Sequence, residues 1–223
     1  MSENLALWKS VMTTDPRAVK AITGKSYQGN SPKPYWLIER ATKEFGPIGI
    51  GWGVTVKSER FERISDTDVL HVAVVSVWYV RDGKRTECFD QMGGTKAAYK
   101  TAKGVLMVDE DAGKKSVTDG MVKCLSMIGF AGDIFSGRWD DSKYVEQARQ
   151  HFDDEAREED PERQAWLEDQ RTQIAGAATV GDFKRIVAAA VAFAAEQGDK
   201  RAVDQINVWA EEKRAQAKPR VAA

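Results

Sequence analysis

Asp68-Val69-Leu70-His71-Val72-Ala73-Val74-Val75-Ser76-Val77-Trp78-Tyr79-Val80 runs directly into Arg81-Asp82-Gly83-Lys84. The first part is apolar at odd and even positions alike and rich in β-branched and aromatic side chains, the pattern of a strand covered on both faces. Asp82-Gly83 follows at once, and these two residue types tolerate the positive φ angles of a tight hairpin turn. The chain therefore returns antiparallel over 84–91 and is expected to end at Gly93-Gly94. Upstream, Ile50, Trp52, Val54 and Val56 alternate with Gly51, Gly53, Thr55 and Lys57, the period of a half-buried strand. Three consecutive antiparallel strands are the firmest reading in the sequence.

Downstream, residues 97–107 read as helix or loop. Asp109-Glu110-Asp111 then precedes a helix over 114–128 whose apolar positions, Val117, Met121, Cys124, Leu125 and Ile128, share one face. The expected fold is α+β: a three-stranded antiparallel sheet packed by a long helix, a β-β-β-α core. Before the strands, Leu5, Trp8, Val11 and Met12 mark a helix over 4–12, and Asp15-Pro16 opens a short helical piece. Residues 24–34 are rich in loop formers and read as a mobile loop. Residues 35–45 return to helical spacing, which Gly46-Pro47 ends.

The rear of the chain differs in kind. Residues 151–163 are dense in acid and contain Pro161, as a linker or a solvated helix end would be. Phe183, Ile186, Val187, Ala190, Val191 and Ala194 form one helical stripe. Val203, Ile206, Trp209 and Ala210 form another, with Gly198-Asp199 as stop and next N-cap. Such a hairpin needs a further surface to bury its apolar face. The domain reading is a core over 1–150, an acidic linker over 151–163 and a small helical tail over 164–223.

Charge is divided along the same line. Residues 1–145 carry 21 basic and 18 acidic side chains, whereas 146–223 carry 12 and 16. A mildly basic front is compatible with a local nucleic-acid groove and does not demand one. No apolar run is long enough to cross a bilayer, and Met1-Ser2-Glu3-Asn4 lacks the layout of a secretion signal. With only Cys88 and Cys124, the expectation is a cytoplasmic chain in a reducing compartment.

Catalytic patterns are tested and set aside. Gly24-Lys25-Ser26 has the end of a phosphate-cradling loop, but position 19 is Val where Gly is required; Gly113-Lys114-Lys115 lacks both the upstream Gly and the hydroxyl. Of two histidines, His71 lies in the apolar strand and reads as a core residue. Asp140-Asp141 and Asp153-Asp154 have no His or Lys at useful spacing for a metal-dependent nuclease. No catalytic centre, cofactor, metal or ATP use is expected. Lys115, Asp119 and Lys123, four residues apart, read either as an i,i+4 ion-pair row or as a basic row facing a ligand.

Lys115-Ser116-Val117-Thr118-Asp119-Gly120-Met121-Val122-Lys123-Cys124-Leu125-Ser126-Met127-Ile128-Gly129 resembles the most recognisable helix of the Rad-fifty-two family of single-strand annealing proteins. Three further pieces agree in order: Leu37-Ile38-Glu39-Arg40-Ala41-Thr42-Lys43-Glu44-Phe45-Gly46, the Gly/Trp-rich Gly49-Ile50-Gly51-Trp52 with the hairpin at Arg81-Asp82-Gly83, and Gly137-Arg138-Trp139-Asp140-Asp141-Ser142-Lys143-Tyr144. The resemblance spans roughly residues 30–145 and suggests a phage-encoded member. It implies a homo-oligomer, ring or filament, that holds single-stranded DNA by its phosphates and anneals complementary strands in recombination and repair without ATP. Lys123 then falls on a groove-lining basic position, while its neighbour Val122 departs from a second one. Trp36 stands where some relatives are basic; Lys33 or Arg40 substitutes, or Trp36 stacks on a base. Arg81 and Lys103 correspond approximately to an outer set of DNA contacts, Lys96 is a further binding candidate in the loosely aligned stretch 96–103, and Lys114 and Lys115 add charge at the helix start. Thr118, Asp119 and Gly120 read as structural. The tail, outside the resemblance, recruits a partner such as a host single-strand-binding protein or a phage exonuclease, or only stabilises the oligomer. Two other classes stay open: a nuclease built on the Asp-rich segments, and an assembly or inhibitor protein whose acidic rear mimics DNA.

Overall fold

The computed structural model describes residues 3–23, 28–86 and 89–217, which form two compact units, Met1–Arg149 and Gln150–Ala223. Gly24-Lys25-Ser26 and Cys88 lie outside the described residues. The first unit opens with a 3-10 turn Glu3–Leu5 and α1 (Ala6–Val11), then a 3-10 turn Pro16–Ala18 capped by the Asp15 side chain, which accepts from the Arg17 N–H at 2.9 Å. β1 (Val19–Ala21) pairs antiparallel with β2 (Asn30–Pro32), so the end of the expected loop over 24–34 is strand. There, ladder hydrogen bonds to β1 override a composition that favours loop. α2 (Pro34–Phe45) follows, ended by Gly46 at φ +93°.

β3 (Trp52–Arg63), β4 (Val69–Arg81), β5 (Lys84–Arg85), β6 (Phe89–Lys100) and β7 (Leu106–Val108) make one five-stranded sheet. Its order is β3-β4-β6-β7, with β5 paired to β4 off that path. The class is α+β and the three antiparallel neighbours β3, β4 and β6 are present, but the sheet is larger than the three strands expected. In β4, His71, Val72, Ala73, Val75, Ser76 and Val77 are all buried, positions of both parities. The turn after it has Asp82 at φ +52° and Gly83 at +72°, with Arg81 opposite Lys84.

The correction to the sheet comes from two glycines. Gly93 and Gly94 lie inside β6 rather than at its end. α3 (Ala112–Met127) crosses the sheet against them. A Cβ at Gly93 would stand 1.9 Å from the Ser116 carbonyl oxygen, and one at Gly120 would stand 2.7 Å from Val75 Cγ2. Gly93 marks a close approach of helix to strand, not a stop. With β6 continuing to Lys100, the chain turns at Gly104, φ +81°, and returns as β7, pairing Ala98 with Val108 and Lys100 with Leu106. The segment 97–107, read as helix or loop, is thus mostly strand and turn.

Behind α3 the core gathers Val11, Leu37, Ala41, Trp52, Val75, Val77, Cys124, Leu125 and Phe130, each without exposed surface. Burial pushes the Cys124 thiol up to about 11, and it donates to the Val75 carbonyl at 3.4 Å. α4 (Gly132–Phe135) supplies Asp133, a fully buried carboxylate. It accepts from Thr14 N–H at 2.8 Å, Thr14 Oγ1 at 2.6 Å, Ile134 N–H at 2.8 Å and Tyr144 OH at 3.0 Å. A 3-10 turn Arg138–Asp140 leads into α5 (Ser142–Glu159).

The second unit has a core of its own. α6 (Pro161–Gly176), α7 (Val180–Glu196) and α8 (Lys200–Ala217) bury Ile174, Phe183, Ala190, Ala194, Ala202, Ile206 and Ala210. The segment expected as an acidic linker over 151–163 is helical except at Asp160, whose side chain caps α6 through the Glu162 N–H. Acidic residues at an exposed helix surface and at an N-cap are compatible with helix, so of the two readings, linker or solvated helix end, the helical one describes this segment. The expected hairpin likewise gains a third helix, α6, whose Ile174, Trp166 and Leu167 complete the apolar face. Asp199 caps α8 through the Ala202 N–H at 2.9 Å and takes Arg163 Nε at 2.5 Å. Burial alone would raise its pKa, but those hydrogen bonds and the nearby Arg157 charge outweigh it, and the carboxyl is held below the usual range.

Candidate nucleic-acid interface

The exposed side of α3 faces the base of the β1–β2 hairpin across an open groove of about 560 Å³. Three lysines line it: Lys20 from β1, and Lys114 and Lys115 from the first turn of α3. Ser31 and Thr118 add hydroxyls, Val122 adds apolar surface, and Asp111 and Asp119 add negative charge. The positions follow from helical spacing, since 111, 115, 118, 119 and 122 share one side of a 3.6-residue period.

The lysines are tied to carboxylates. Lys114 Nζ meets Asp111 Oδ1 at 2.9 Å and Lys115 Nζ meets Asp109 Oδ2 at 2.6 Å. Each hydrogen bond raises its lysine's pKa, and the Lys114 hydrogen bond and charge lower that of Asp111. Lys20 is exposed and has no side-chain partner among the described residues. Lys123 lies one turn past Asp119, outside the groove lining; its ammonium donates to Asp119 Oδ2 at 2.9 Å and to the Met92 carbonyl at 3.1 Å. The row of 115, 119 and 123 therefore contains one i,i+4 pair, while Lys115 turns to Asp109. Asp119 also accepts the Gly94 N–H at 3.2 Å, and Ser116 Oγ donates to the His71 carbonyl at 3.0 Å. Asp119, Gly120 and Ser116 fasten helix to sheet, while Thr118 Oγ1 donates within the helix to the Lys114 carbonyl.

The remaining site residues fall elsewhere. Lys33 and Trp36 line a second depression, about 520 Å³, with Arg17 and Tyr35. Lys33 Nζ donates to the Arg17 carbonyl at 2.8 Å. Trp36 packs partly buried against the core, with the Arg40 guanidinium 6.0 Å from its ring centre. Arg40 Nη2 also donates to the Ser10 carbonyl at 3.2 Å. Tyr35, the residue before Trp36, is 85% exposed. Residues two positions apart on a helix are about 200° apart, so Tyr35 points away from the buried Leu37, whereas Trp36 is only about 100° from it. A wheel drawn on Leu37 and Ala41 finds Tyr35; nothing in the sequence singles out Lys20.

Arg81 lies at one end of β4, 3.9 Å from Asp82, and Lys96 pairs opposite Leu70 near the other end, 3.7 Å from Asp68. At about 3.3 Å per residue the two ends are some 36 Å apart. Lys103 is exposed in the β6–β7 turn. Lys114 and Lys115 thus share a groove, whereas Lys123, the Lys33–Trp36–Arg40 set, Arg81, and Lys96 with Lys103 stand apart from it. His71 is buried, its Nε2 3.6 Å from Glu59 Oε2. Among the described residues no group of three or more His, Cys, Asp or Glu side chains is placed to hold a metal ion, and no helix is long and apolar enough to cross a membrane. In comparisons with protein-family models and with curated proteins, nothing matches this sequence.

Proposed function

We propose that this chain binds single-stranded DNA through the Lys20–Lys114–Lys115 groove and anneals complementary strands without ATP, as a homo-oligomer. The observation that carries the reading is that groove, in which Lys114, Lys115 and Thr118 of a helix whose sequence resembles the Rad-fifty-two family face Lys20 and Ser31 of the β1–β2 hairpin. Its lysine–aspartate pairs lie at the surface, and such pairs add little to stability. A phosphate arriving with counterion release displaces them at small cost. Bases facing away from a phosphate-held backbone remain open to a complementary strand, and Tyr35 offers a stacking surface.

The test is an ATP-free annealing assay with two labelled complementary oligonucleotides. The wild type accelerates pairing; Lys114→Gln/Lys115→Gln loses most of the acceleration, and the slope of log affinity against log salt falls in magnitude by about 1.4, as for two lost single-strand phosphate contacts. Lys123→Glu, beside the groove, weakens binding less than the double variant. Wild-type protein that fails to accelerate pairing sinks the reading.

One observation favours a second reading, an assembly protein without annealing activity: Lys96, Lys114, Lys115, Lys123 and Arg81 each have a carboxylate at 3.9 Å or less. Under it, oligonucleotide binding is weak even at low salt, and the oligomer forms without DNA.

A further inference from the structure

The cations of the second unit are not alike. Residues 150–223 carry 15 acidic and 11 basic side chains, so a cation there is rarely far from a carboxylate. Arg157, Arg163, Arg171, Arg185 and Arg201 each have one at 3.9 Å or less. Lys184, Lys200, Lys213 and Arg214 have none among the described residues. Of these, Lys184, Lys213 and Arg214 stand together around one cavity of about 250 Å³ lined also by Ala177, Val180 and Phe183, and no carboxylate lines it. Lys213 Nζ donates to the Ala175 carbonyl at 2.5 Å, and the Arg214 guanidinium lies 5.5 Å from the Phe183 ring centre. Val180, in the first turn of α7, is 73% exposed. Apolar surface ringed by unneutralised cations, in a unit of net negative charge, is complementary to one ligand chemistry.

We propose that the cavity among Ala177, Val180, Phe183, Lys184, Lys213 and Arg214 docks an acidic peptide segment of a partner protein, seating an apolar side chain on Val180 and Phe183 while flanking carboxylates meet the three cations. The volume lies below the roughly 300–1,000 Å³ of small-molecule sites and suits a side-chain anchor. Charge around an apolar anchor sets encounter rate and selects acidic partners, and the anchor supplies most of the affinity. DNA phosphates would meet the cations but leave the apolar lining uncovered. The inference does not rest on the annealing reading.

The test uses the full chain and fluorescence anisotropy with a labelled peptide, Asp-Glu-Asp-Leu-Phe-Asp, beside the same peptide with Ser-Ser for Leu-Phe. Wild-type protein binds the first saturably, and the Ser-Ser peptide at least about tenfold more weakly. Lys184→Glu/Arg214→Glu weakens the first by about tenfold or more, with an unchanged far-ultraviolet circular dichroism spectrum and unchanged annealing of bare oligonucleotides. Lys184→Ser, at an exposed side chain without a partner, is the milder variant should the double one fold poorly; it weakens binding by about threefold. Equal binding by wild type and variants, or none by wild type, overturns the proposal. So does displacement of the peptide by a dT oligonucleotide that the double variant no longer binds, since the cations then serve nucleic acid.

Discussion

The Asp133 carboxylate has no exposed surface, yet three hydroxyl or amide groups from Thr14 and Tyr144 and the Ile134 N–H converge on it. It ties the segment after α1 and the start of α5 to α4, and each donor it loses leaves a buried charge less satisfied. Tyr144→Phe is therefore expected to lower unfolding free energy by about 1–3 kcal/mol in a urea titration. Burial and the Asp133 charge push the Tyr144 hydroxyl from 10.0 up to about 12. A raised folded pKa means the folded state keeps its proton where the unfolded state has lost it. That stabilisation is complete below pH 10 and lost as pH rises toward 12. Wild-type denaturation midpoints fall across this window, and Tyr144→Phe removes this contribution to the slope. At the groove, Asp111→Asn leaves Lys114 without its partner. Under the annealing reading, oligonucleotide affinity rises modestly, by about two- to fivefold in anisotropy at low salt. A fall in affinity would instead show that the carboxylate orients the lysine.

At the scale of elements, the seat of α3 on β4 and β6 decides the fold, and two neighbouring glycines separate cause from coincidence. A Cβ at Gly93 runs into the α3 backbone, while one at Gly94 finds nothing nearer than the His71 carbonyl oxygen at 3.8 Å. Gly93→Ala thus forces the helix outward and costs about 1–3 kcal/mol or more. Gly94→Ala, at an otherwise ordinary strand position, is near neutral within about 0.5 kcal/mol. Chemical denaturation of the pair is the measurement; equal costs would mean that strand propensity, not the helix crossing, governs the site.

At the scale of the molecule, two separate cores share one chain, one around Trp52, Leu125 and Phe130 and one around Ile174, Ile206 and Ala210. Leu125→Ala and Ile206→Ala each remove a fully buried side chain, at about 2–5 kcal/mol apiece. The expected outcome is that each lowers the unfolding transition of its own unit, followed by Trp52 fluorescence in a background without the other tryptophans or by hydrogen exchange. A chain ending before Pro161 lacks α6 to α8 and their core but keeps the groove. Under the annealing reading it pairs bare oligonucleotides at the wild-type rate.

Features built from local chemistry could be read directly. The apolar run of β4, the positive-φ turn at Asp82-Gly83, the amphipathic face of α3 and the Gly198-Asp199 stop and cap each rest on neighbours within a few residues. The five-strand sheet could not be read this way, because Gly93 looks like a terminator until a helix is laid against it, and β7 exists only through its ladder with β6. The third helix of the tail was hidden because Trp166, Leu167 and Ile174 are too sparse to make a stripe alone. The candidate site was legible only in part. Lys114 and Lys115 are local to one helix turn, but Lys20 reaches them through the placement of a two-stranded ladder. Likewise, Lys115 turns to Asp109 rather than Asp119, and Lys123 to Met92 across to β6. Periodicity determines which face of an element is apolar; which charges meet depends on packing between residues far apart in the chain, and that only the folded structure decided.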